Sequence, residues 1–397
     1  MMARSYPEAL SGFPLETGLE VRVGNAIDLL RAGVLERDAA GGAPDFEIGV
    51  LRQTGLLVGP WAETKNHSLS RWDQTLAAIS TIASVDPSAA TLMGYHHMHL
   101  LLLADSGNPA IAEWAARETV ANDWVWGGAN NPSGEKVVIE ETPDGYRLNG
   151  SKEFATVSLV ADQLIIQEGA PTEDSPLRRI VLAVDSKSAG LRVLDDWDGI
   201  GVVRSATNRI LFDDVFVPRN RFVKYSRTGT ESPSAAEAAS APGFQIIFAN
   251  IYLGITLGVL RRAYAFLNGD ATGAGSRRKS LSQVQEVFGE LAVRYAAAAA
   301  VVGDVNRHFA TTLEDRETPA ADRYRLLSAR VFPAKVFAHE TVLEATQRVF
   351  EITGSRGATR QTGLEKFWRD ARNHSLHDEL RVRHRIVGAG LLGVEVA

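Results

Sequence analysis

The sequence predicts an α+β protein in which two helical regions flank a β region. Three observations carry that reading. Apolar residues recur at helical spacing over residues 1–121 and again over 243–397. Between them, over 122–225, short β-branched runs alternate with Gly- and Pro-containing turns. The segment 226–242 (SRTGTESPSAAEAASAP) is poor in large apolar side chains and reads as a linker or lid. Helices, then strands, then helices is the segregated order of an α+β chain.

The elements follow in order. Leu19, Val21, Val23, Ile27, Leu29 and Leu30 form one amphipathic face, which predicts a helix ending near 37–42. Asp45 is placed to cap a second helix covering Ile48, Leu51 and Leu56, closed by Gly59-Pro60. Asp86-Pro87 pairs a capping carboxylate with proline at the first helical position. That helix carries Leu92, Tyr95, His96, His99 and Leu102, and another spans about 110–121. Val137–Glu140 and Tyr146–Leu148 flank Pro143-Asp144-Gly145, a hairpin with turn residues between its arms. Runs at 164–167, 179–184, 191–193 and 208–212 add strands, and the spacing suggests an antiparallel barrel or sandwich. Four long helical segments, roughly 244–268, 282–312, 318–352 and 363–393, then predict a bundle.

Bulk properties narrow the function classes. The 397 residues are 45% hydrophobic and 23% charged, an ordinary globular balance. A net charge of -6 argues against nucleic acid or an anionic membrane as partner. No apolar run is read as a bilayer span, and the N-terminus lacks a secretion signal, so a cytoplasmic location is expected. Cysteine is absent, which excludes disulfides, thiolate nucleophiles and thiolate metal sites.

The run Phe367–Asp378 (FWRDARNHSLHD) concentrates titratable chemistry. On a helix, His374, His377 and Asp378 share one face, since positions i, i+3 and i+4 stack. Imidazole exchanges protons near neutral pH, and a carboxylate can orient it; a solvated helix end has the same spacing. The cluster Tyr95, His96, His97 and His99 has no accompanying cysteine or clear carboxylate, so it is not read as a metal site. Trp124, Trp126, Phe154, Trp197 and Phe248 serve equally as core or pocket wall, and Trp126 and Phe154 are the two assigned to the site.

Four motifs in one order give these residues a context. Leu148–Thr156 (LNGSKEFAT) matches LNG-x-K-x-(W/F)-x-T. Trp197–Pro218 contains G-x-R-x-S-x-T followed by F-x-x-V-x-V-P in relaxed form. Arg277-Arg278-Lys279 is an arginine-led motif, and Phe350–Gly357 (FEITGSRG) is glycine-rich. The chain thereby resembles the acyl-CoA dehydrogenase superfamily, which implies an N-terminal helical domain, a middle β-barrel or sandwich and a C-terminal four-helix bundle. Dehydrogenases of that family commonly carry a catalytic Tyr-Glu-Gly. Here the same position, set by Arg369-Asp370-Ala371, reads His377-Asp378-Glu379. The FWR-x-x-R-x-H-x-x-HD run and Gly94-Tyr95-His96 are similar instead to the two-component flavin monooxygenases of the superfamily.

That resemblance implies a reaction and its partners. Reduced FMN, with FAD as the other option, arrives from a separate NAD(P)H-dependent reductase and reacts with dioxygen. A hydroperoxide at flavin carbon C4a then passes one oxygen to a small sulfur or nitrogen compound. An FAD-dependent acyl-CoA dehydrogenase is the alternative, and a non-catalytic flavin-binding scaffold a third. By resemblance Thr156, or else Ser158, faces flavin N5, and His377 serves the peroxide with His374 and Asp378 behind it. Arg278, with Arg277 and Lys279 as substitutes, takes the flavin phosphate. Gly354, Ser355 and Arg356 add contacts across a subunit boundary. Asn130, Asn131 and Ser133 touch the ring or substrate, Tyr95, Trp126 and Phe154 line the substrate pocket, and the assembly is a homotetramer.

Overall fold

The structure, a computed structural model, describes residues 6–58, 71–130, 136–169, 178–227, 240–269, 277–315, 317–377 and 379–394. Asn131, Ser133 and Asp378, three residues assigned above, lie outside them, as does most of the 226–242 segment.

The N-terminal helices are α1 (Thr17–Arg31), α2 (Val34–Ala40), α3 (Asp45–Gln53), α4 (Trp72–Ala83), α5 (Pro87–Ala104) and α6 (Pro109–Asn122). The first predicted helix is two, because Gly33 takes φ +70 between them. Asp45 does not cap α3: it is the first helical residue, and Pro44 holds the cap position. Asp86 does cap α5, its carboxylate accepting from the N–H groups of Ser88 (3.1 Å) and Ala89 (3.2 Å), with Pro87 in the first turn. Asn108 and Pro109 start α6 the same way.

Among the described residues eight strands form two sheets: β1 (Trp126–Ala129), β2 (Val137–Thr142), β3 (Gly145–Ala155), β4 (Gln163–Gly169), β5 (Arg178–Asp185), β6 (Leu191–Val193), β7 (Asn208–Pro218) and β8 (Phe222–Arg227). Their orders are β1-β4-β5-β8 and β2-β3-β7-β6. The predicted hairpin is the β2/β3 ladder, closing at Thr142 opposite Gly145. β1 was not legible, since Trp-Gly-Gly-Ala has little strand character. It runs parallel to β4, so the first sheet is not wholly antiparallel. The inner faces of the two sheets share one apolar core, with Leu148, Leu164, Leu182, Ile210 and Phe212 among its members. Ile165, Val181 and Ala183 point the other way and join the helical core. Alternation along β4 and β5 thus glues the sheet to the helices.

The C-terminal helices are α7 (Ser240–Gly269), α8 (Ser282–Glu314), α9 (Ala320–Thr353), α10 (Leu364–Ser375) and α11 (Leu380–Leu392). α7 is the central post of the bundle. Its 242–269 stretch is long and apolar enough to cross a membrane, which the sequence reading overlooked, but 94% of that window is buried inside the protein. The predicted 363–393 helix is broken in two. The N–H groups of Leu376 and His377 bond three residues back, to Asn373 and His374 (3.2 Å each), a tightened turn that stops propagation. His374 and His377 therefore do not share one helical face.

Candidate active site

Two helices with side chains at matched spacing build the heart of the site. On α7, Phe244, Phe248 and Tyr252 recur every four residues and so lie on one face. On α5, Tyr95 and His99 do the same. The turn after α10 brings His377 to this surface. The Phe248 ring packs edge-on between His374 (4.9 Å between centroids) and His377 (4.8 Å). Tyr95 meets Phe244 (5.6 Å), Phe248 (6.1 Å), His99 (6.1 Å) and His377 (6.5 Å). The β region closes the set: the Thr156 hydroxyl, just past the end of β3, faces the Tyr95 phenol. The structure thus assembles Tyr95, Thr156 and the His374/His377 pair from three separate segments.

Burial divides these groups. His374 is buried, and burial lowers its imidazole to about 3, helped by the positive charge that His377, Lys335 and His339 can carry. Its Nδ1 lies 3.3 Å from the Tyr252 hydroxyl, which also donates to the His374 carbonyl at 3.3 Å. A carbonyl can only accept, and the hydroxyl has one proton. Both contacts are hydrogen bonds only when Nδ1 carries the ring proton. With its imidazole held at about 3, His374 is a neutral group behind Phe248. His377 is exposed, not inside a closed cavity. Tyr95 is pushed up to about 12 by burial, against the pull of the Thr156 hydroxyl, so its phenol keeps its proton.

The other α5 imidazoles are structural. His96 Nε2 donates to the Leu57 carbonyl (2.8 Å) while its Nδ1 accepts from the Trp126 N–H (3.2 Å). His97 Nε2 donates to the Leu56 carbonyl (2.9 Å). Burial holds His97 at about 4 and His99 at about 3, and drives His96 well below the usual range. No group of side chains able to hold a metal occurs among the described residues. Asn130 donates from Nδ2 to His99 Nε2 (3.3 Å), and its buried Oδ1 has no partner among the described residues.

A charged clamp joins α10 to the loop before β7. Asp370 accepts the Val202 N–H (2.7 Å) and pairs with Lys366 (2.6 Å), while Arg369 donates to the Ile200 carbonyl (2.9 Å) and pairs with Asp38. Burial would depress Lys366, but Asp370, Asp86 and Asp38 outweigh it and raise its pKa. The approach is so close that a Cβ on Gly201 would sit 2.1 Å from the Arg369 carbonyl oxygen. Arg204 completes the clamp on Glu47 (2.9 Å), which Arg37 also grips (2.8 Å). This fixes the loop bearing Ser205 and Thr207 against the helix that presents the imidazoles.

A second cluster forms at the end of α9. Arg278 donates from Nε to the Ile352 carbonyl (2.8 Å) and from Nη2 to the Glu351 carbonyl (2.9 Å). Its guanidinium lies against Gly354, whose φ of +67 ends the helix. Ser355 and Arg356 follow, exposed. Arg277 is exposed, and Lys279 bonds Asn268 (3.2 Å).

Three sequence expectations need correction. Trp126 is fully buried, donates from Nε1 to Thr119 Oγ1 (2.7 Å) and packs edge-on to Trp114 and Trp124. Its ring belongs to the α6–β1 core, held there by the Thr119 hydrogen bond and the two neighbouring indoles. Ser158 directs its hydroxyl to the Ala206 carbonyl (3.3 Å), which leaves Thr156 as the hydroxyl that meets Tyr95. Phe154 is 58% exposed and packs edge-on to Trp197, so it does not wall the pocket with Tyr95. Phe244, Tyr252 and Thr207 were missed; the Phe244/Phe248/Tyr252 spacing was the signal that identifies the α7 face.

The fold, with helices flanking two sheets and a C-terminal bundle, is that of an acyl-CoA-dehydrogenase-like enzyme. Comparison with known proteins agrees. Residues 246–381 match the family model for the acyl-CoA dehydrogenase C-terminal domain. A dibenzothiophene monooxygenase of Rhodococcus erythropolis is 30% identical over 382 residues, covering 90% of this chain and 89% of the relative. A probable FMNH2-dependent monooxygenase, SfnC of Pseudomonas putida, is 26% identical over 358 residues, 89% of each. The complex of TdsC from Paenibacillus sp. A11-2 with FMN and indole superposes with a TM-score of 0.84 at 27% identity, covering 96% of this chain and 98% of that one. The chain belongs to the dibenzothiophene monooxygenase family of flavin-dependent monooxygenases within the acyl-CoA dehydrogenase superfamily.

Proposed function

We propose that the protein uses reduced FMN, supplied by a separate NAD(P)H-dependent reductase, and dioxygen to oxygenate a small sulfur- or nitrogen-containing compound. The observation that carries this reading is the convergence of Tyr95, Thr156 and His377 on one aromatic-walled surface. Family membership favours it over acyl-CoA dehydrogenation, since the relatives covering most of the chain are monooxygenases.

The residues fit a flavin. Asn130 Oδ1 is a buried acceptor in need of a donor, as a ring N–H provides. Thr156 retains acceptor capacity for N5–H. Arg278 has N–H groups beyond the two it gives to carbonyls, enough for a phosphate contact alongside Gly354, Ser355 and Arg356. Flavin when bound supplies oxygen activation and delivery of one oxygen atom. The protein supplies the rest. Phe244 and Phe248 exclude water, Tyr95 donates from its O–H into the pocket, and His377 holds or returns a proton through its ring N–H. His374 stays neutral behind them.

Closing the site at His377 calls for more than one copy. The outer face of α8 exposes Val293 (70%) and Val301 (43%), with Ala296, Ala297 and Ala300 between them. Such an apolar helix stripe suits burial against another copy, in keeping with a homotetramer whose flavin sites span subunits. A cytoplasmic location suits a reductase-fed enzyme.

The test supplies the purified protein with reduced FMN, a flavin reductase, NADH and 18O-labelled dioxygen over a panel of aromatic sulfides, alkyl sulfinates and amines. One 18O atom in the product supports the reading. Tightly held FAD that bleaches on adding an acyl-CoA, with no labelled product, overturns it.

A further inference from the structure

Backbone strain concentrates around one pair of hydroxyls. Among the described residues seven that are not glycine have positive φ; Phe154 (56°), Val157 (69°) and Ala206 (50°) stand within two residues of Thr156 or Thr207, and Val202 (42°), whose carbonyl accepts the Ser205 N–H, lies in the same loop as Thr207. Val157 is the most telling, because a β-branched side chain is poorly suited to the left-handed region. Such strain persists only where the surroundings over-determine it, and it gathers at functional positions. Here the determinants are visible. Val157 N–H donates to the Ser205 carbonyl and Ser158 N–H to the Ala206 carbonyl, both at 3.1 Å, while Gly128 N–H takes the Thr156 carbonyl at 3.2 Å. The two segments are locked side by side.

The result is a line of hydroxyls. Ser205 Oγ lies 2.7 Å from Thr207 Oγ1, Thr207 donates to Thr156 Oγ1 at 3.3 Å, and the Thr156 hydroxyl faces the Tyr95 phenol, whose pKa it lowers as a donor to the phenol oxygen would. Each hydroxyl has one proton and two lone pairs. With its oxygen occupied by the Thr207 proton, Thr156 keeps one lone pair and its own proton. Giving that proton to the Tyr95 oxygen leaves the lone pair for an outside donor, and turns the Tyr95 O–H away from Thr156 into the pocket. We propose that Thr207, backed by Ser205, is a positioning residue that sets this direction, so that Thr156 accepts from flavin N5–H while Tyr95 donates to the reacting partner. The flavin half of this proposal rests on the reading of Thr156 given above; the direction of the chain does not.

The experiment has two arms. In the flavin-free protein, ultraviolet resonance Raman spectra report whether a tyrosine hydroxyl donates or accepts, and subtraction of the Tyr95→Phe spectrum isolates Tyr95. Thr207→Val removes the hydroxyl with little change of shape and is expected to change the Tyr95 doublet ratio, while Thr207→Ser recovers it. Ser205→Ala leaves Thr207 in place and is expected to shift the same signal in the same direction. In the second arm, with reduced FMN, oxygen and a reductase, Thr207→Val is expected to raise hydrogen peroxide released per product by about three- to tenfold, the worth of one hydrogen bond. An unchanged Tyr95 signal in both Thr207→Val and Ser205→Ala overturns the relay. A changed signal with unaltered peroxide release, in Thr207→Val and in Thr156→Ala alike, overturns the N5 assignment instead.

Discussion

Lowering the pH from 7.5 to 5 is expected to destabilise this protein through its buried imidazoles. His97, His99 and His374 are held at about 4, 3 and 3 by burial, and His96 well below its usual range. In the unfolded chain each titrates near 6.5. Folded values below unfolded ones mean that the unfolded state binds protons first, so stability falls as pH drops through about 6.5 and continues to fall toward 4. At pH 5 an unfolded histidine is almost fully charged and these folded ones are almost fully neutral. Each contributes a loss of about 2 kcal/mol over that window, or about 6 kcal/mol for the three with values, against a total stability of about 5–15 kcal/mol. Asp86 and Asp370, raised by burial, work in the opposite sense, since the folded state takes their protons first. One substitution isolates the histidine effect. His97→Asn removes a single buried imidazole that bonds the Leu56 carbonyl and packs edge-on to Trp72. It lowers stability at pH 7.5 but flattens the loss between pH 7.5 and 5 by about 2 kcal/mol. Urea unfolding followed by circular dichroism at a series of pH values measures both slopes. Parallel slopes for the variant and the parent protein refute the reasoning.

Asp370→Ala removes the carboxylate paired with Lys366 at 2.6 Å, leaving Asp38 at 3.6 Å, and frees the Val202 N–H, so calorimetry should show a loss of about 2–3 kcal/mol, with weaker FMN binding as the 200–207 loop loosens. Gly201→Ala drives a methyl group into the Arg369 carbonyl and should cost about 2 kcal/mol or more in the same assay, since neither contact is a flexible side-chain end. Arg278→Ala should raise the Kd for FMN about ten- to a hundredfold, the worth of a charge-assisted phosphate contact, in a fluorescence titration; an unchanged Kd removes Arg278 from the flavin site.

The parts of the fold that followed local rules were legible. Asp86-Pro87 announced α5, and Pro143-Asp144-Gly145 announced the β2/β3 hairpin. β1 escaped because its pairing with β4 is decided by tertiary contacts and not by its own Trp-Gly-Gly-Ala composition. The break after Ser375 escaped for a related reason: nothing in Asn373–His377 forbids a helix, and the turn is set by packing on Phe248 and Tyr252. At the site, Thr156, Tyr95 and the two imidazoles were found through motif resemblance, and the structure brings them together. Trp126 misled because a buried aromatic beside a site has the same sequence appearance as one that lines it. The role of Thr207 was invisible in the chain, since it depends on two strained segments lying side by side.

The account stands or falls on whether His377 manages the proton of an oxygen-transferring flavin. The most direct measurement compares His377→Ala with the parent protein under reduced FMN, reductase and oxygen, counting oxygenated product against hydrogen peroxide released. An exposed turn residue should be replaceable without loss of fold or of FMN affinity. Oxygen consumption is then predicted to continue while its yield moves from product to peroxide. Undiminished product per oxygen consumed in His377→Ala would contradict the account.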